Sequence, residues 1–219
     1  MAEHYFSTAP SAPSRPTTVE LRLPDMTLAL VADRGVFSGE RVDPGTLALL
    51  RESPAPPRDG DLLDLGCGYG PIACALARRS PAATVWAIDV NSRALELTAA
   101  NAARLGLINV RAVRPTDVPQ GVALAGIWSN PPVRVGKDAL HELLSTWLAR
   151  LSGGSRAWLV VHRHLGSDSL AVWLEDGGWA VCRAASKSGY RVLEVSRRAV
   201  PATVRQASTN KAGTGGATR

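Results

Sequence analysis

From residue 61 onward the apolar positions fall into short runs separated by longer amphipathic stretches, and this alternation predicts an α/β fold. Strands are expected near 61–65, 84–89, 109–113, 124–129 and 156–162, and helices near 71–79, 92–105, 138–151 and 168–176. Strand–helix–strand connections of these lengths imply crossovers and therefore parallel neighbours in one sheet. Two closing strands, near 179–186 and 189–196, are joined by a turn too short for a crossover and must be antiparallel. Upstream, residues 18–23 alternate at period two and 27–31 follow across Pro24-Asp25, which predicts a small hairpin. Pro10, Pro13 and Pro16 among Ser and Thr mark an irregular arm, and Ser53-Pro54-Ala55-Pro56-Pro57 reads as a linker. The expected organisation is an N-terminal arm and small β extension over 1–58, one α/β domain over 59–198 and a tail over 199–219.

The first strand of that domain runs straight into Gly66, Gly68 and Gly70, and a helix follows at once. Alternating glycines let the backbone leave the strand sharply and let a ligand lie against the main chain. Asp89 closes the next strand, where a carboxylate can accept both hydroxyl hydrogens of a ribose. The spacing alone would also suit a dinucleotide dehydrogenase. Here, however, the glycines run G-x-G-x-G rather than G-x-G-x-x-G, and Asp64 stands just ahead of them. An acid there repels a pyrophosphate but can pair with a cationic ligand, and S-adenosylmethionine carries an ammonium and a sulfonium but no phosphate. The chain therefore reads as a methyltransferase. The strand over 124–129 delivers Asn130-Pro131-Pro132-Val133 at its carboxyl end, where open α/β sheets bind ligands. The Asn130 amide oxygen and the Pro131 carbonyl offer two acceptors for an sp² amine, while Pro131 and Pro132 stiffen the loop. Such acceptors align the nitrogen lone pair with a methyl donor and spread the developing positive charge without a strong base.

These residues carry a family resemblance. Asp64-Leu65-Gly66-Cys67-Gly68-Tyr69-Gly70, Asp89 and Asn130-Pro131-Pro132-Val133 resemble motifs I, II and IV of the class I S-adenosylmethionine-dependent amino methyltransferases. Within that superfamily the chain is most similar to the small-subunit ribosomal RNA guanine-N2 methyltransferases, in a short single-domain form. His4-Tyr5-Phe6-Ser7, Gly35-Val36-Phe37-Ser38, Asp43-Pro44-Gly45-Thr46, Val135-Gly136-Lys137 and Gly189-Tyr190-Arg191-Val192-Leu193 extend the likeness over nearly all of residues 4–198. The resemblance implies a Rossmann-like class I fold: a mostly parallel seven-stranded sheet with an antiparallel last strand. It implies catalysis at Asn130, Pro131 and Pro132, with S-adenosylmethionine held by Asp64, Gly66, Gly68, Gly70, Asp89, Asp117 and Asn130. Asp117 stands where relatives place an acid against the adenine amino group. Phe37, Val133, Arg134 and Lys137 are the expected substrate contacts, Phe37 as a cover for cofactor or base and the two cations as grips for phosphate. The chain departs from the family twice. Relatives acting on planar amines carry an aromatic where Val133 stands, so a stacking platform is lost or moved, and the longer bacterial relatives carry a degenerate N-terminal copy for which 219 residues leave no room.

Composition narrows the setting. The apolar fraction of 45% is that of a globular domain, no apolar run is long enough to span a membrane, and no signal pattern opens the chain, so a cytoplasmic protein is expected. Cys67, Cys74 and Cys182 match no zinc spacing and read as small buried thiols. The net charge of +6 is concentrated in the tail, where Arg197, Arg198, Arg205, Lys211 and Arg219 face no acid; that tail is either a disordered tether for RNA or a solvated end. Charge alone does not establish an RNA partner; the resemblance does the pointing, towards ribosomal RNA or a ribosomal particle. The alternatives are N-methylation of a protein glutamine or of adenine N6, against which Val133 argues, and a silent RNA-binding module, against which the intact glycines and acids argue. His162 and His164 are expected at a loop or rim, too few for a metal, and Trp128 is the tryptophan worth testing for its closeness to Asn130.

Overall fold

The computed structural model describes residues 13–36, 38 and 41–198; His4-Tyr5-Phe6-Ser7, Phe37 and the basic tail lie outside the described residues. Thr17–Leu23 (β1) and Met26–Ala32 (β2) pair antiparallel, and Pro44–Glu52 forms α1. There follow Asp61–Leu65 (β3), Pro71–Arg79 (α2), Thr84–Ile88 (β4), Ser92–Arg104 (α3) and Val110–Val113 (β5). Leu124–Ser129 (β6), Lys137–Leu148 (α4), Leu151–His162 (β7), Ser167–Asp176 (α5), Trp179–Lys187 (β8) and Tyr190–Arg197 (β9) complete the chain. The seven-stranded sheet runs β5-β4-β3-β6-β7-β9-β8, parallel from β5 to β7, with β9 antiparallel to both its neighbours. This is the Rossmann-like arrangement expected, and its strand order reverses between β3 and β6, where such sheets open a ligand crevice.

The period-two pattern of β3 explains why the sheet is covered on both faces. Leu62 packs into one core with α1, α2, α3 and the N-terminal hairpin, whereas Leu63 and Leu65 pack into the other with α4 and α5. The small β extension packs on the α/β domain. Alternate residues Val19, Leu21, Leu23, Leu28, Leu30 and Ala32 are buried in the domain's own core. Asn101 on α3 ties the hairpin down: its Oδ1 accepts from the Val31 amide (2.8 Å), and its Nδ2 donates to the carbonyls of Val31 (2.9 Å) and Tyr69 (2.8 Å). The same side chain thus holds the hairpin and the glycine turn.

Three features differ from the expectation. Helix α1 was not foreseen, although Asp43 caps it by accepting from the Gly45 (2.8 Å) and Thr46 (3.1 Å) amides and Pro44 opens its first turn. Strand β7 begins at Leu151 rather than near 156, because Ser152-Gly153-Gly154 reads as a turn in sequence yet forms an irregular start to the strand, where the pairing with β6 shifts register. Cys182 is exposed; only Cys67 and Cys74 are buried. The β8–β9 connection is a two-residue turn with positive φ at Ser188 (48°) and Gly189 (84°), the geometry that matches the strand twist.

Candidate active site

A cavity of about 280 Å³ opens at the carboxyl ends of β3, β4, β6 and β7. Gly66, Gly68, Asp89, Asn130, Pro131, Pro132, Val133 and Arg134 line it, so these expected site residues are brought together by the crossovers. Gly70, Asp64, Asp117 and Lys137 do not line it, and Phe37 lies outside the described residues.

The three glycines divide the work. A Cβ on Gly66 (φ +80°) or Gly68 (φ +57°) would have its nearest neighbour only at 3.9 Å, so a side chain there would grow into the cavity and occupy ligand space. A Cβ on Gly70 would instead lie 2.9 Å from Thr98, so this glycine lets α3 pack against the turn. Asp89 holds the turn from the next strand: its Oδ2 accepts from the Gly68 amide (3.0 Å) and its Oδ1 from the Asn91 amide (2.9 Å). Burial raises its carboxyl above the usual range, against the opposing pull of these backbone donors. Each oxygen retains a lone pair, which fits the paired hydroxyls of the ribose in the expected S-adenosylmethionine.

Asp64 is fully buried beneath the turn. Its Oδ2 accepts from the Ala73 amide (2.9 Å), and its Oδ1 has no partner among the described residues. Burial, reinforced by the nearby charge of Asp89, pushes its carboxyl up to about 8. An acid this reluctant to ionise fits a site that awaits a cation, as the ammonium and sulfonium of the expected cofactor provide. A stability effect follows for the ligand-free protein. The folded carboxyl titrates at about 8 and its ordinary value is 3.8, so between these the folded state holds the extra proton. Its stabilising contribution is complete at acid pH and is lost as pH rises towards 8, by up to about 1.4 kcal/mol per pH unit, with Asp89 acting in the same direction. Urea unfolding at about pH 5.5 and about pH 7.5 is expected to show wild type weaker at the higher pH and Asp64→Asn, which keeps an acceptor for Ala73, falling much less. Equal falls in the two proteins would show that Asp64 ionises freely.

Asn130 ends β6 with its amide fixed. Its Nδ2 donates to Asp43 Oδ1 (2.8 Å) and Thr46 Oγ1 (3.2 Å), both on the capped start of α1. A carboxylate can only accept here, so the amide cannot flip, and Oδ1 is left as the acceptor on the cavity wall. The Pro131 carbonyl is partly spent: it accepts from the Val133 amide (2.8 Å) across Pro132, whose φ −74° and ψ 68° make an inverse γ-turn. One of its lone pairs remains. Val133 is half-buried and packs against the α4 side of the core, while Arg134 stands exposed at the rim and Lys137 opens α4, exposed and outside the cavity. Asp117 is exposed in the turn after β5, with Pro115 from the same turn lining the cavity in its place. Trp128 points away from the chemistry: it is 2% exposed, donates from Nε1 to Ser53 Oγ (3.1 Å) and packs over Gly126.

Several lining residues were not singled out from sequence. Asp43 anchors Asn130, and its own Oδ2 accepts from the Tyr190 hydroxyl at 3.4 Å. Nothing local ties Asp43 to a loop 87 positions further along the chain. Tyr69 lines the cavity with its buried hydroxyl unpartnered among the described residues. Val90 (41% exposed) and Leu165 (49%) give the cavity mouth an apolar lip. His162 lines the cavity and His164 sits in the turn beyond it, their ring centroids 5.4 Å apart, and no group of side chains among the described residues has the makings of a metal site.

The chain is similar to several known proteins. The methyltransferase small domain family matches residues 27–194. The uncharacterized protein YbxB of Bacillus subtilis is 34% identical over 200 residues, 90% of this chain and 100% of that protein. The ribosomal RNA small subunit methyltransferase C of Pseudomonas putida is 31% identical over 189 residues, 81% of this chain and 53% of the relative, so the chain spans about half the length of that relative. A solved T. thermophilus 16S rRNA N2 methyltransferase, in complex with AdoMet and guanosine, superposes with a TM-score of 0.73 at 25% identity, over 85% of this chain and 52% of that one. The chain belongs to the methyltransferase small domain family and is an S-adenosylmethionine-dependent methyltransferase.

Proposed function

We propose that this enzyme methylates the exocyclic N2 of a guanosine in small-subunit ribosomal RNA. The observation that carries the reading is the locked amide of Asn130, which leaves a single well-placed acceptor on the cavity wall. S-adenosylmethionine supplies the methyl group as an electrophile on a sulfonium. Asn130 Oδ1 accepts one hydrogen of the target amine, turns the nitrogen lone pair towards the methyl carbon and takes up part of the charge that develops on nitrogen. The free lone pair of the Pro131 carbonyl offers a second acceptor. On transfer the methyl carbon would leave sulfur as it bonds to nitrogen, the amine proton would pass to solvent, and S-adenosylhomocysteine would be the by-product. Asp89 would hold the ribose end of the cofactor, and Asp64, buried behind the cavity wall, would act on its cationic end through the field of the site. Arg134 at the rim and the exposed Lys137 that opens α4 serve as phosphate grips. No helix among the described residues is long and apolar enough to cross a membrane, which suits work on ribosomal RNA in the cytoplasm.

The test is methyl transfer from tritiated cofactor to naked small-subunit ribosomal RNA, to small ribosomal particles and to protein fractions. Label recovered as N2-methylguanosine after nuclease digestion is the expected outcome. Label in N6-methyladenosine, or in glutamine of a protein fraction, would replace this reading with one of the other amines.

A further inference from the structure

The cavity contains an aromatic corner that methyl transfer as described does not use. Tyr190 opens β9 and His162 closes β7, and the two are direct partners across the antiparallel pair. Their rings meet edge to face, with centroids 4.9 Å apart and planes at 84°, and both line the cavity beside Asn130 and Pro132. Each ring is held in place. His162 Nδ1 accepts from the His164 amide (3.3 Å), and its Nε2 lies where a Cβ on Gly189 would come within 2.7 Å. The Tyr190 ring lies against Gly45, where a Cβ would come within 2.6 Å of Cε1. Two glycines thus make room for the pair. The loop that carries Asn130 has no ring to offer, because Val133 is aliphatic and packs into the core.

We propose that Tyr190, braced edge-on by His162, is the platform on which the purine carrying the target amine stacks. This rests on the reading that the substrate is a nucleobase amine. Asp43 links platform and acceptor: Oδ1 receives the Asn130 amide and Oδ2 faces the Tyr190 hydroxyl. One carboxylate therefore lies beside both the ring and the acceptor, while the plane of the base is set by the ring itself. Stacking selects a flat base without reading its edge, so the choice of amine falls to Asn130. Leu165, half exposed on the turn that follows His162, extends the apolar wall towards the mouth.

The probe is 2-aminopurine riboside, which carries the same exocyclic amine and loses fluorescence on stacking, titrated to millimolar concentration with full-length protein loaded with S-adenosylhomocysteine. Wild type is expected to quench it saturably. Tyr190→Leu should weaken binding about 10-fold or more and raise the KM for RNA with a smaller change in kcat, while Tyr190→Phe stays within about 3-fold of wild type. Cofactor affinity should be unchanged in both. A second measurement needs no disruptive substitution. The protein has three tyrosines, so with 3-fluorotyrosine incorporated the Tyr190 fluorine resonance is identified from Tyr190→Phe, and it should shift when guanosine is added. An unshifted resonance, wild-type quenching by Tyr190→Leu, or a loss in Tyr190→Phe equal to that in Tyr190→Leu would each overturn the platform. If wild type methylates guanosine but Tyr190→Leu keeps its KM, the platform alone fails. If wild type neither quenches the probe nor methylates RNA, the nucleobase reading falls and the platform with it.

Discussion

Asn130→Ala is expected to bind S-adenosylmethionine within a few-fold of wild type yet lose methyl transfer by about 10²-fold or more, as removal of a positioned transition-state acceptor does. The contacts give the reason to expect binding and chemistry to separate. Asp43 loses the Asn130 donor but keeps the Gly45 and Thr46 amides, so α1 remains capped, and the glycine turn and Asp89 are untouched. Calorimetry for the cofactor and single-turnover transfer from labelled cofactor are the two measurements needed. A wild-type rate in Asn130→Ala would make the Asn-Pro-Pro segment an ordinary turn and remove the proposed catalytic centre.

The conservative replacement is more severe than it looks from composition. By shape alone Asn130→Asp keeps an acceptor of the same size and is expected to retain part of the activity. In the fold it sets a second carboxylate 2.8 Å from Asp43 Oδ1, where the amide nitrogen had been a donor. Two carboxylates so close share a proton or move apart. Activity in Asn130→Asp should therefore be low at neutral pH and rise relative to wild type as pH falls, because the shared proton restores the donor to Asp43. A pH profile parallel to that of wild type would contradict the Asp43–Asn130 arrangement.

Asp89→Ala should weaken cofactor binding by roughly 2–4 kcal/mol, or about 30- to 700-fold in Kd, through loss of two charge-assisted bonds to ribose hydroxyls. It should also cost about 1–3 kcal/mol of stability, since Asp89 accepts the Gly68 and Asn91 amides and so ties the glycine turn to the start of α3. Asp89→Asn is expected to fare little better. Both oxygens of Asp89 face backbone donors, and an amide can present an oxygen to only one of them. An unchanged Kd in Asp89→Ala would show that the ribose is held elsewhere.

Much of this molecule was legible in the chain because its signals are local. Strand and helix positions came from apolar periodicity over a handful of residues, which is the scale on which burial of one face operates. The glycine turn, Asp89 and Asn130 were legible because a sharp exit from a strand and a carboxyl-end loop need particular residue types in short order. Boundaries slipped where local composition pointed the wrong way, as Ser152-Gly153-Gly154 did inside β7. The partners of the site residues were decided only by the tertiary structure. Asp43 meets Asn130 across 87 positions and Tyr190 across 147, joined by crossovers that no short window contains. The same packing takes Asp64 and Asp117 off the cavity wall and brings His162 and Tyr190 onto it. Sequence determined which groups the protein carries and the direction in which each element runs. The fold determined which lone pairs and rings remain free to meet a substrate, because that depends on what each group already touches.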